Sequence, residues 1–155
     1  MTVLDAALDV GHFWAVAITL IAVVACVLLH YEVSLRLWRR LEKSRSTLRR
    51  RFLKLTFGLF AAHIAEIWLF AVAMALLGEH PLAGGLSGIG AVNFLDYVYF
   101  SAITYTTLGY GDLFPTGPIR FMTGTEALIG FMLITWSASL TFLEMQRHWS
   151  TRQER

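Results

Sequence analysis

The sequence predicts an all-α membrane protein: three transmembrane helices with one shorter, re-entrant helix between the second and third. Three observations predict it. The chain is 56% hydrophobic over 155 residues with only 15% charged, where about 25% charged is usual for a soluble domain. Mean hydropathy is +0.57, more apolar surface than a domain this small can bury away from water. Finally, the charges that remain are clustered at the ends of long apolar runs rather than spread around helices. Soluble enzymes are thereby excluded as a class, and no catalytic role is expected. A single cysteine, Cys26, rules out an intrachain disulfide and a thiolate zinc cluster, and its apolar surroundings suit a small buried side chain.

The first span comes from Phe13–Leu29, a stretch free of charge and about 25 Å long as a helix, near the minimum for crossing a bilayer. Val23, Val24, Ala25 and Cys26 look like a lipoprotein cleavage box, but Asp5 and Asp9 precede the span with no basic residue, so a cleaved leader is not expected. This helix, domain 1–35, carries no chemistry of its own in the sequence, and peripheral packing is its expected role. The segment 36–54 follows with nine of the thirteen basic residues, Arg36, Arg39, Arg40, Lys43, Arg45, Arg49, Arg50, Arg51 and Lys54, against one acid, Glu42. Such a run in a soluble protein would suggest nucleic acid. Between two apolar spans it reads as a cytoplasmic loop obeying the positive-inside rule, with no nucleic-acid partner implied. Arg36 and Arg39 lie outside the apolar spans, which argues against a voltage sensor.

A second span, Phe52 to Leu77, is interrupted by His63 and Glu66. Gly78, Pro81, Gly84, Gly85, Gly88 and Gly90 then mark an exposed loop. Asn93 followed three residues later by Asp96 resembles a capping box. The apolar segment it opens, to Thr106, reaches only about 20 Å and cannot cross, so it must turn back as a half-helix. Pro115, Gly117 and Pro118 predict a turn, and Ile119–Leu143 a third span with Arg120 at its edge and Glu126 inside, before a polar tail at 144–155 with Arg147, Arg152 and Arg155. Three spans with the basic segment inside place the N-terminus outside and the C-terminus in the cytoplasm, in a multi-pass protein of the cell (inner) membrane. Asp5, Asp9, Glu79, Asp96 and Asp112 then fall on the outer side. No internal repeat, heptad array or low-complexity linker is present.

After the half-helix stands Thr106, Thr107, Leu108, Gly109, Tyr110, Gly111, Asp112. Glycines alternating with side-chain residues allow successive peptides to switch handedness and align their carbonyl oxygens, and an L-residue at Gly109 or Gly111 would be strained. Aligned carbonyls replace the water around a dehydrated cation, and non-helical backbone at membrane depth must be buried or line an aqueous path. The segment resembles the TVGYGD selectivity filter of potassium channels. Together, span, loop, half-helix, filter and span resemble the bacterial two-helix potassium channel pore domain, here residues 55–143 behind an extra N-terminal helix.

The resemblance implies a homotetramer in the lipid bilayer, with K+ as the transported ion and no organic cofactor. It implies that the carbonyls of Thr107, Leu108, Gly109 and Tyr110, continuing to Gly111, and the Thr107 hydroxyl as innermost ring, bind K+. Leu108 stands where the family has Val, and its side chain is expected to point behind the filter. Ile103 occupies the place of a family glutamate that pairs with the aspartate after the filter, and Tyr99 the place of an aromatic that can bond it. Tyr99–Asp112 is therefore either a strut or simple aromatic packing. Gly130, nineteen residues after Gly111, matches the inner-helix hinge, although a close helix contact would equally explain it. Below it Ile134, Ala138, Phe142 and Gln146 recur every four residues and would face the pore, with Phe142 either a hydrophobic gate or a packing residue.

His63, Glu66 and Glu126 remain as intramembrane ionisable groups, Glu66 about 16 Å and Glu126 about 10 Å below their helix ends. They either support the filter through backbone or hydroxyls such as Thr104, or together form a metal or proton sensor. Beside a K+-selective channel, the sequence leaves open a weakly selective monovalent cation channel and a non-conducting regulatory or structural channel subunit.

Overall fold

The computed structural model describes residues 3–44, 46–88 and 92–153, with side chains from 10–44, 46–88 and 92–147. Arg45, Gly90 and Arg155, and the side chains of Asp5, Asp9 and Arg152, lie outside the described residues. Six elements follow in order: α1 (Val3–Glu42), α2 (Leu48–Gly78), β1 (Gly85–Gly88), α3 (Phe94–Tyr105), β2 (Leu113–Thr116) and α4 (Ile119–Gln153). Three of the helices contain stretches long and apolar enough to cross a bilayer, Val10–Glu42, Leu48–Gly78 and Ile119–Arg147. The protein is a multi-pass, all-α membrane protein, and Leu20, Ile21, Val24, Leu28, Phe57, Phe60, Leu128 and Phe131 stand exposed along its helices, as lipid or another subunit requires.

The described residues of the basic segment 36–54, expected as a loop, are helical except at 43, 44, 46 and 47. Arginine and lysine are good helix formers, so a run of them carries both neighbouring helices past the apolar spans. This basic end is tied together by side chains: Arg51 Nε donates to Glu144 Oε1 at 2.8 Å, Arg147 lies 4.3 Å over the Trp38 ring, and Leu41, Leu55 and Leu59 form a small apolar cluster beneath them.

The main core joins Phe70, Met74 and Leu77 of α2, Phe100 and Ile103 of α3, Met122, Ile129 and Leu133 of α4, and Ala15, Ala22 and Cys26 of α1. Helix α1 presents Ala15, Thr19, Ala22, Cys26 and His30 as a fully or nearly buried stripe. Small side chains at this spacing bring its backbone close, which is how helices associate in lipid where apolar burial alone gives no drive. The helix thus packs against α2 and α4, with Leu20, Ile21, Val24 and Leu28 on its outward face.

At the opposite end, the glycine loop and the proline turn form a two-stranded antiparallel ribbon, from Gly85 opposite Thr116 to Gly88 opposite Leu113. A two-stranded ribbon has only edge strands, where Pro115 removes no needed donor. Ala83 O accepts from Ile119 N at 2.9 Å, so the ribbon delivers the chain directly into α4. Between its strands lies α3, only 12 residues long.

Candidate ion pathway and the buried cluster behind it

Helix α3 starts as a capping box. Leu95 N–H donates to Asn93 Oδ1 at 2.9 Å, and Asn93 N–H donates to Asp96 Oδ2 at 2.7 Å. It ends in a backbone that reverses hand: Thr107 has φ 58° and Gly109 φ 105°. Three amides hold this reversal against the last turn, Thr107 N to Thr104 O at 2.9 Å, Leu108 N to Ile103 O at 2.9 Å and Gly109 N to Ile103 O at 3.4 Å. By contrast, no carbonyl from 107 to 111 accepts a backbone hydrogen bond among the described residues. The amides of Thr107, Leu108 and Gly109 are thus turned back onto α3 while the carbonyls of the segment are left for another partner, and the negative end of the α3 dipole stands beside them.

The alternation differs from expectation in one place. Gly111 does not have a positive φ, whereas Thr107 does. The tight return after Tyr105 places its left-handed residue just past the C-cap Thr106, which falls on Thr107. The Leu108 side chain, expected behind the segment, is 79% exposed in the single chain. Tyr110 stacks on Phe100 at 5.1 Å and 19°, and Ile103, Thr104, Thr107, Gly109, Tyr110 and Ala127 line a small recess there.

Tyr99 Oη donates to Asp112 Oδ1 at 3.3 Å, a long hydrogen bond that spans the segment from its helix to its far side. The Asp112 charge, more than partial burial and the hydrogen bond, pushes the Tyr99 hydroxyl above the ordinary tyrosine range.

Glu66 is completely buried and lies at the centre of a cluster drawn from all four helices. His30 Nδ1 lies 2.9 Å from Glu66 Oε1, His63 Nδ1 lies 3.1 Å from Glu66 Oε2, and the Tyr105 hydroxyl donates to Glu66 Oε2. Behind them the Ser137 hydroxyl sits 2.9 Å from His63 Nε2 and 3.4 Å from His30 Nε2. Tyr105 is the last residue of α3, so this cluster fastens the helix end from which the carbonyl segment departs.

Glu126 does not join it. It accepts from the Ser101 hydroxyl, which also lies 2.8 Å from Ile67 O. Glu126 is eleven residues before Ser137 on α4, about 16 Å along the axis, so it serves the middle of α3 while Ser137 serves its end. Thr104 partners neither carboxylate; its Oγ1 and Glu126 Oε2 are buried without a hydrogen bond among the described residues. The hydroxyls used are Ser101 and Tyr105, one turn apart on the same face of α3.

Residues 62–147, more than half of the chain, match the family described as Ion channel. The chain belongs to that family. It is also similar to the inward rectifier potassium channel Kirbac3.1 of Paramagnetospirillum magnetotacticum, 28% identical over 96 residues that cover 61% of this chain and 32% of that protein. The matched part therefore spans about a third of that relative. No solved structure matches this channel. Both similarities agree with the resemblance carried by the carbonyl segment and its flanking spans.

The remaining channel residues singled out in the sequence lie on α4. Gly130 is buried, and a Cβ there would strike the Tyr105 carbonyl oxygen; the glycine lets α4 pass against the end of α3. Ile134, Ala138, Phe142 and Gln146 form an exposed stripe of α4. The sequence reading missed His30 and Ser137. His30 carries a sequence signal, since it continues the stripe of Ala15, Ala22 and Cys26 at helical spacing, but it stands just past the apolar run that ends at Leu29. Ser137 carries no sequence signal, because its partners lie on other helices.

Proposed function

We propose that this ion channel conducts K+ selectively as a homotetramer, with the carbonyls of Thr107, Leu108, Gly109, Tyr110 and Gly111 and the Thr107 hydroxyl lining the pore. The observation that carries this reading is the run of carbonyls from 107 to 111 without a backbone partner, held at the end of a capped helix too short to cross the membrane. An unpartnered carbonyl costs several kcal/mol in a bilayer unless something polar replaces water. Dehydrated cations on a fourfold axis do so, and a ring of four chains turns one loop into a coordination shell. The potassium channel named among its relatives supports the same ion.

In this reading the Tyr99–Asp112 hydrogen bond, the Glu66 cluster and the Glu126–Ser101 pair support the filter, because a displaced carbonyl is a lost ligand. Ile134, Ala138 and Phe142 line the inner pore, with Phe142 as gate. The basic end faces the cytoplasm and the ribbon end the outside of the cell membrane. Purified protein in liposomes tests the proposal: K+ flux well above Na+ flux is expected, with a reversal potential near that for K+ in mixed salts. Equal K+ and Na+ flux would replace it with a weakly selective cation channel, and no flux from an intact tetramer with a non-conducting subunit. Impermeant labelling of cysteines placed at Glu79 from outside and Lys43 from inside checks the orientation.

A further inference from the structure

We propose that His30, His63, Glu66 and Tyr105 bind a divalent transition cation of the zinc type inside the membrane, with Ser137 positioning both imidazoles. Among the described residues, the ligand atoms of His30, His63 and Glu66 all lie within 4.8 Å of one another. Tyr105 adds a fourth donor, its hydroxyl 2.9 Å from His63 Nδ1 and hydrogen-bonded to Glu66 Oε2. Two imidazole nitrogens and two oxygens suit zinc, with ligand distances of about 2.0–2.2 Å. Tetrahedral ligand atoms at those distances stand about 3.3 Å apart. The observed separations of 2.9 and 3.1 Å between imidazole nitrogens and the two carboxylate oxygens need to widen by only a few tenths, and the shorter Tyr105–Glu66 Oε2 contact by more.

The hydrogen inventory of the cluster points to a cation. Each imidazole turns Nδ1 toward the same carboxylate and Nε2 toward the same Ser137 oxygen. In the neutral cluster, Nδ1–H on both rings leaves two Nε2 acceptors for the single Ser137 hydrogen. Mixed tautomers, with His63 giving Nε2–H to Ser137, instead leave His63 Nδ1 and Glu66 Oε2 to share the single Tyr105 hydrogen, and a positive charge on the cluster, a proton or a metal, relieves either arrangement. With a metal on both Nδ1 atoms the rings become Nε2–H tautomers, and the two lone pairs of Ser137 accept both. Metal-bound histidines commonly use their second nitrogen in this way. The rings need release no proton, since each only changes tautomer. The one proton lost is that of Tyr105, and a dication held by the Glu66 carboxylate and the Tyr105 phenolate is neutral overall, as the membrane interior demands. Access is from His63, whose side chain is 16% exposed while Glu66 is 0%.

Its consequence for conduction rests on the function proposed above: the cation would lock Tyr105, two residues before Thr107, to α1 and α2. The binding test is independent of conduction. The full-length protein, purified without a polyhistidine tag and dialysed against Zn2+, should retain about one equivalent per chain by elemental analysis. Co2+ alone should give the visible absorption of a tetrahedral site. His63→Gln and His30→Gln should abolish both signals, and Ser137→Ala should weaken affinity by about 10–100-fold. Chelation should lower the thermal midpoint of the native protein and leave that of Glu66→Gln unchanged. No retained metal, retention by both histidine variants, or octahedral Co2+ absorption would overturn the site and leave the cluster a hydrogen-bonded tie. Bound metal without any effect of chelation on K+ flux would keep the site and remove only its link to the filter.

Discussion

Arg51 and Glu144 join helices that are 93 residues apart in the chain, one in the first turn of α2 and the other near the end of α4. The guanidinium is 20% exposed and the carboxylate 1%, and a second contact, Arg51 Nη2 to Glu144 Oε2 at 3.4 Å, makes the pairing two-pronged. Glu144 is two residues beyond Phe142, so this pair sets where α4 stands at the basic end of the bundle.

Removing the guanidinium from a buried carboxylate should destabilise the fold. Arg51→Ala is expected to cost about 3 kcal/mol, the low end for a buried pair because part of Arg51 faces solvent. Arg51→Ala with Glu144→Ala should recover part of that loss, read as a thermal midpoint in detergent. Purely additive midpoints would show that the two residues do not depend on one another.

The conformations of Gly109 and Gly111 differ, so their alanine variants should differ too. Gly109 has φ 105°, where an L-residue is strained by at least about 1–2 kcal/mol. Gly109→Ala should abolish selective K+ flux, whereas Gly111→Ala, at a φ that is not positive and with open space around its Cα, should keep a larger share of it. Mixed-salt reversal potentials of both variants decide the point, and equal, undiminished selectivity would remove the filter assignment.

Gly130→Ala distinguishes contact from hinge. A Cβ there meets the Tyr105 carbonyl, and overpacking of this kind costs about 1–3 kcal/mol. Lower thermal stability is expected, together with a disturbed α3 end. Unchanged stability with altered open probability would instead mark a hinge in an otherwise continuous α4.

The Tyr99–Asp112 hydrogen bond carries a pH dependence. The Tyr99 hydroxyl is raised above its ordinary value chiefly by the Asp112 charge, so the contribution is complete below the ordinary tyrosine value of about 10. It is lost as pH climbs through the raised value. Filter inactivation should therefore be insensitive to pH around neutrality and accelerate only in strong alkali, whereas Tyr99→Phe should be fast at every pH. An alkaline acceleration of the same size in Tyr99→Phe would assign it elsewhere.

Much of this architecture is legible from local pattern. Apolar runs mark three spans, Asn93 and Asp96 mark the start of α3, and Thr107–Asp112 carries its own motif, because each signal is complete within a few residues. What could not be read depends on several elements at once. Glu66 chooses Tyr105 over Thr104 by helical phase, and Glu126 is separated from His63 by the pitch of α4. Leu82-side glycines and Pro115 look like loop punctuation, yet two such segments pair into a ribbon because α3 brings their ends together. The basic segment reads as a loop by its charge, whereas its arginines and lysines are also good helix formers.

The contact between His30 and Ser137 spans 107 residues, which bears on how the chain is made. Helix α1 leaves the ribosome first and carries a polar ring into the bilayer; α4, with the hydroxyl that completes its surroundings, comes last. A chain stopped before Ser137 still ties α1 to α2 through Glu66, but it leaves the Nε2 atoms of both histidines without the hydroxyl they share, a cost inside a bilayer that only the arrival of α4 removes.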